Sequence, residues 1–369
     1  MKASRAQAWA LSPSDSGRPP PSKAWGGKIR SRARLRRARI TRPGQGADLA
    51  LTGFPVAADP PCCTAMTAPP SLFDRPLHRR RLDRAAANFS AAGFLKARAA
   101  QDVVERLEAI MRSFPRAVDL GARDGAFRRA LAQSDAAPRV GFLIETDLSR
   151  TMLADRAGPR AQMDEERLAF ADQSLDLVVS ALALHWVNDV PGALIQIRRA
   201  LKPDGLFLGA MLGGATLTEL RQALTAAEAE LTDGAGLRVS PFADTFDAAA
   251  LLQRAGFALP VADIDRVRVR YAHPLKLIAD LKAMGETNAL VERARRPLSR
   301  RVLARACEIY AERFSEPDGR VVATFDIITL TGWAPHPDQQ KPLRPGSAKM
   351  RLADALGASE QSAGEKAGG

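Results

Sequence analysis

Apolar residues recur along this chain in two rhythms. Val103, Val104, Leu107, Ile110 and Met111 fall three or four positions apart, which predicts an amphipathic helix over residues 101–112, broken by Pro115. Residues 72–84 predict a shorter, basic helix. Beyond them, short apolar runs at 117–120, 140–146, 175–180 and 206–212 read as strands. Helical patterns at 127–131, from Thr151, at 191–201 and at 216–231 lie between or after them. Strands alternating with helices predict an α/β protein whose sheet is mainly parallel and covered on both faces. Two later runs, 264–271 and 321–331, are longer and alternate polar with apolar positions. That pattern predicts a half-exposed antiparallel edge pair. Residues 273–314 read as helices forming a cap over one end of the sheet.

Composition sharpens this picture. Forty-six percent of the 369 residues are hydrophobic, enough for a sizeable core. The net charge of +13 suggests nucleic acid at first sight, but +9 of it falls in residues 1–65. No nucleic-acid partner is therefore expected of the folded body. Residues 1–65 are Pro-rich and Arg-rich with little periodicity. They are expected to be a disordered basic tail, a targeting segment or an extension upstream of a start at Met66. The domain proper is expected at 66–334, with a cofactor-binding core at 116–212, the helical cap at 273–314 and a flexible tail at 335–369. No run approaches ~18 uninterrupted apolar residues, so no transmembrane helix is expected. A peripheral membrane contact is left open. Cys62, Cys63 and Cys307, with four scattered histidines, show no metal-ligand spacing, and no metal site is expected.

Three segments carry candidate chemistry. Val118-Asp119-Leu120-Gly121-Ala122-Arg123-Asp124-Gly125 ends a strand in a carboxylate and enters a helix through a loop flanked by glycines. Such glycines let the backbone approach a ligand closely. Asp147, two residues after Glu145 at the end of the second strand, is placed to accept ribose hydroxyls. Asp164 follows the third strand, where a carboxylate takes an adenine amino group. Each piece alone is also a common structural device; their joint order is not. There is no Gly-x-Gly-x-x-Gly dinucleotide fingerprint and no Walker loop, which disfavours a dehydrogenase and a triphosphatase.

Asp119 with Gly121 and Gly125, Asp147-Leu148-Ser149, Asp164, the stretch 170–180 and Leu201-Lys202-Pro203-Asp204-Gly205 together resemble class I S-adenosylmethionine-dependent methyltransferases. Phe73-Asp74-Arg75, Ala183-Leu184-His185-Trp186-Val187-Asn188-Asp189, residues 211–221 and Met284-Gly285-Glu286-Thr287-Asn288 look more narrowly like the complex I assembly factor 5 family and its alphaproteobacterial relatives. The resemblance spans about residues 72–334. It implies a Rossmann-like fold with a seven-stranded, mainly parallel sheet, an antiparallel edge and a helical cap insertion. It implies S-adenosyl-L-methionine as cofactor, held by Asp119, Gly121, Arg123, Gly125, Asp147 and Asp164. It also implies a respiratory complex I subunit as partner, and cytoplasmic location in a bacterium or the mitochondrial matrix in a eukaryote. Eukaryotic members of the family hydroxylate an arginine, which implies a protein substrate.

Two alternatives stand beside that reading: a small-molecule or carboxyl O-methyltransferase of the biotin-synthesis type, and a non-catalytic assembly chaperone. Arg123 departs from the pattern, for the usual Asp-x-Gly-x-Gly-x-Gly has glycine there. It is tolerated drift, a partner for the cofactor carboxylate, or an obstruction. His185, Trp186 and Tyr271 are the catalytic candidates, with packing or capping as their ordinary roles. Glu286 and Asn288 are candidates to grip a cationic substrate.

Overall fold

The structure is a computed structural model that describes residues 71–340, 347 and 350–359. The expectations for residues 1–65, and most of those for 335–369, lie outside the described residues.

Seven strands among the described residues form one sheet in the order β3-β2-β1-β4-β5-β7-β6. They are β1 (Phe114–Leu120), β2 (Val140–Asp147), β3 (Arg160–Gln162), β4 (Leu175–Ala181), β5 (Leu201–Gly213), β6 (Ala258–Tyr271) and β7 (Val321–Trp333). The first five pair in parallel; β7 lies antiparallel between β5 and β6. The α-helices among the described residues are α1 (Arg75–Ala85), α2 (Phe89–Ala92), α3 (Phe94–Glu108), α4 (Ala126–Leu131), α5 (Val190–Ala200), α6 (Thr218–Leu231), α7 (Thr245–Arg254), α8 (Pro274–Ala283), α9 (Arg300–Phe314) and α10 (Leu352–Leu356).

Strand alternation sorts the core by face. Val118, Leu120, Phe207, Met211 and Ile328 point to one side, where Leu194 and Ile197 of α5 and Leu252 of α7 cover them. Ala117, Leu177, Val179, Leu206 and Leu208 point to the other, under α3 and α4. That second layer continues past the carboxyl ends of β4 and β5 as a further cluster. There Leu212 and Phe325 meet α1, α6, α8 and α9. The helices between β6 and β7 thus stand beside the carboxyl ends of the parallel strands, where ligands of open α/β sheets bind.

Several expectations need correction. The run 321–331 is not an edge strand: β7 is buried along nearly its whole length, and β6 alone forms the half-exposed edge. β6 points Arg266, Arg268 and Arg270 outward, a row of charge that discourages edge-to-edge association. The helix over 101–112 starts earlier and stops at Glu108, and Pro115 falls inside the start of β1. No helix forms at Thr151. Residues 151–155 are turns, because Gly158, at φ +102°, and Pro159 lead directly into β3 and leave no room for a second helical turn.

Candidate active site

The loop after β1 is built by close approach. Gly121 sits at φ +70°, and a β-carbon there would overlap the Ala183 side chain after β4. Gly125, at φ +73°, is the residue before α4, with the Glu145 carboxylate and Arg156 against it. Both positions need glycine for space and for backbone conformation. Asp119, fully buried at the end of β1, finds no donor for either carboxyl oxygen. Burial pushes its pKa up to about 7; Lys96 opposes the shift, and the Glu145 and Asp147 charges reinforce it.

The other acidic groups already have partners. Asp147 Oδ1 accepts the Ser149 N–H at 2.8 Å. Its Oδ2 accepts both the Arg123 N–H at 2.9 Å and the Arg123 guanidinium at 2.7 Å. Arg123 is only 2% exposed and holds φ +52°. The Arg123 guanidinium thus rests on Asp147, a partner that none of the three readings of this position named. Asp164 takes Arg75 Nη2 at 2.5 Å. Arg75 also pairs with the buried Glu165 and donates to the Trp186 carbonyl at 3.1 Å. The Lys96 ammonium reaches the carbonyls of Gly121, at 2.6 Å, and Ala181. Burial above all pulls the Lys96 pKa down.

These residues fit a nucleoside cofactor that carries an amino-acid end. An orphaned buried carboxyl at Asp119, two carbonyls that hold an ammonium and a glycine cradle suit the amino-acid end. The Asp147 and Asp164 carboxylates suit the nucleoside. Lys96, Arg123 and Arg75 lie on those acceptors, so a ligand takes each place by displacing a cation of the chain.

His185 and Trp186 follow β4, on the short turn Leu184–Trp186. Trp186 Nε1 donates to Glu286 Oε2 at 2.6 Å, and His185 Nε2 stands 3.1 Å from the same oxygen. The Leu212 N–H faces His185 Nδ1 at 3.5 Å. Burial would push the Glu286 carboxyl up. His185, Arg123 and Trp186 together outweigh burial and hold it below the ordinary value. His78 of α1 stacks on Trp186 with ring centroids 4.3 Å apart, and neither of its ring nitrogens has a partner. Burial, then the nearby Arg123 and Arg75 charges, keep it neutral, far below its ordinary pKa.

Two cavities meet at this group. A small one, about 20 Å³, is bordered by Lys96, Arg123, His185 and Glu286. A larger one, about 340 Å³, runs from His185, Trp186 and Glu286 between α6, α8 and the end of β5. Leu95, His185, Leu212, Met284 and Glu286 border both. Tyr271 is not among the lining residues. It packs in the core against α8, where burial and Asp280 keep its phenol protonated, so its place among the catalytic candidates is corrected. Asn288 lines the larger cavity, but its amide group donates to the Leu237 carbonyl at 2.6 Å. No group of three or more His, Cys, Asp or Glu among the described residues is placed to hold a metal.

Sequence reasoning missed Lys96, His78 and the roles of Arg75 and Glu165. A signal existed for each cation. Lys96 shares the buried α3 face with Ala99, Ala100, Val103 and Leu107, an odd place for an ammonium. Arg75, His78 and Leu82 share the buried face of α1.

Residues 118–209 match the family model described as a methyltransferase domain. The mitochondrial arginine-hydroxylase NDUFAF5 of Danio rerio is 39% identical over 291 residues, covering 77% of this chain and 89% of that protein. Its Homo sapiens counterpart is 38% identical, over 77% of this chain and 83% of its own length. The malonyl-[acyl-carrier protein] O-methyltransferase of Halorhodospira halophila is 36% identical over 270 residues, 71% of this chain and 88% of that enzyme.

Proposed function

The chain belongs to the NDUFAF5 arginine-hydroxylase family within the class I methyltransferase fold, and from that premise we propose that it is an S-adenosylmethionine-binding enzyme that modifies an arginine of a respiratory complex I subunit. In this reading Asp147 takes the ribose hydroxyls and Asp164 the adenine amino group. The 121–125 loop and Asp119 take the amino-acid end. When bound, S-adenosylmethionine supplies a methyl group activated on a sulfonium, the electrophile ordinary to this fold.

One observation carries the proposal beyond kinship: the cofactor-side cavity and the larger cavity share five bordering residues. A substrate group in the larger cavity therefore reaches the residues that border the small one, Lys96 and Arg123 of the cofactor side among them. His185 and Trp186 hold the Glu286 carboxylate at that junction. Positioning of this kind supplies a large part of catalysis in group transfer.

The named relatives include both an arginine hydroxylase and a carboxyl methyltransferase. We place the action in the cytoplasm of a bacterium or the mitochondrial matrix of a eukaryote. No helix among the described residues is long and apolar enough to cross a membrane. The test is mass spectrometry of complex I subunits from cells with and without this gene. The proposal expects one arginine-bearing peptide to be modified only when the gene is present, by an oxygen atom drawn from an external oxidant or by a methyl group from the cofactor. An added methyl on a carboxyl group supports the second relative instead, and identical peptides overturn both.

A further inference from the structure

We propose that the larger cavity selects a cationic head on an apolar stem, and that Glu286 is the residue that receives the head. The inference rests on the arginine reading above and names the group that recognises the guanidinium.

The first support is location. Glu286 borders both cavities, so whatever its carboxylate holds lies between the stem's cavity and the cofactor groove. The second is how the carboxylate is prepared. The Leu212 N–H facing His185 Nδ1 leaves the ring proton on Nε2, which donates to Glu286. Trp186 Nε1 donates to the same oxygen, Oε2. Both donors sit on Oε2, so neither of them occupies Oε1. A buried carboxylate is costly unless it is paired, and a guanidinium matches its geometry. The third support is the wall. Leu217, Leu220, Leu224, Ile278, Leu281 and Phe325 form an apolar lining, in a volume of about 340 Å³. A lining mostly apolar, with a few placed polar groups, is the usual build of a ligand pocket.

Other heads fit less well. A carboxylate would face Glu286 at close range, and like charges repel. A neutral alkyl head would make no charge-assisted bond to the carboxylate. Arg238 also lines the cavity, but Glu228 neutralises it at 2.6 Å.

The experiment is calorimetric titration of the full chain with n-octylguanidine, n-octanol and octanoate, which share a stem and differ in head. n-Octylguanidine should bind at least tenfold tighter than n-octanol, and octanoate weakest. Glu286→Gln should bring n-octylguanidine to the n-octanol level and leave n-octanol unchanged. Trp186→Phe keeps an aromatic ring but removes the N–H. It should weaken n-octylguanidine several-fold without changing n-octanol, a selectivity that mere loss of packing does not produce. Leu224→Trp fills the cavity and should weaken both alkyl probes alike, which tests the stem's place even if Glu286→Gln fails to fold. Equal affinity for the three heads, no binding of n-octylguanidine, or a Glu286→Gln that binds it unchanged overturns the inference. The arginine reading fails separately, through unmodified complex I subunits in the mass comparison while n-octylguanidine still binds.

Discussion

Asp119 carries a buried carboxyl with no donor, and its pKa lies near 7 rather than in the ordinary carboxylate range. The fold thus favours its protonated form. The stability that goes with this form is present below the unfolded value near 4 and is lost as pH rises through about 7. Asp119→Asn keeps the shape and cannot ionise. Its thermal midpoint should match the wild type near pH 4 and rise increasingly above it up to pH 7–8, where the difference in stability is on the order of 4 kcal/mol. Midpoints measured across that range decide the matter, and parallel profiles would contradict it. Asp119 was legible in the sequence as a strand-end acid. Its lack of partners was not, since that depends on Lys96 of α3 bonding carbonyls instead of the carboxyl. Arg123 was legible as an anomaly but not as a partner of Asp147. The pairing crosses from one strand's loop to the next strand's end, and chain spacing does not specify side-chain direction there.

Among elements, legibility followed burial. The apolar runs became β1, β2, β4, β5 and β7, because buried strands must be apolar, and β6 showed through its polar–apolar alternation. β3 has three residues, all exposed, so it offered no run to read. β7 was mistaken for an edge because its threonines and Asp326 break the apolar run, yet they are buried and bonded to neighbours such as Thr216 and Glu219. α1 was visible as a basic helix, but its role was not. Its Asp74 cap and the proline in its first turn set its start, and Arg75 then reaches Asp164, Glu165 and the Trp186 carbonyl. Removing one partner from a buried ionic group costs ~3 kcal/mol or more. Arg75→Ala should therefore loosen α1 locally. Amide hydrogen exchange across residues 75–85 should speed up by roughly a hundredfold, while exchange in β1 and β4 changes little. Unchanged protection in α1 would show that its apolar face alone holds it.

Over the whole molecule, the cofactor groove is a meeting place of separate parts. α1 supplies Arg75, α3 supplies Lys96 and the loop after β1 supplies Arg123, each resting on an acceptor near the carboxyl ends of the strands. The fold class was legible because periodicity reports layers, and layers determine where those carboxyl ends lie. The closure was not, since it depends on three cations arriving from different elements. The central claim is that this groove takes S-adenosylmethionine at Asp147 in competition with Arg123. Calorimetric titration of S-adenosylmethionine into wild type, Asp147→Ala and Arg123→Gly tests it directly. Asp147→Ala should bind at least tenfold more weakly, because charge-assisted hydrogen bonds are worth ~1.5–3 kcal/mol. Arg123→Gly frees the carboxylate and suits the positive φ, so it should bind several-fold more tightly than wild type. Shifts of opposite sign would bear out the account. No binding to wild type, or equal affinity in all three, would contradict it and leave a methyltransferase fold serving as a scaffold.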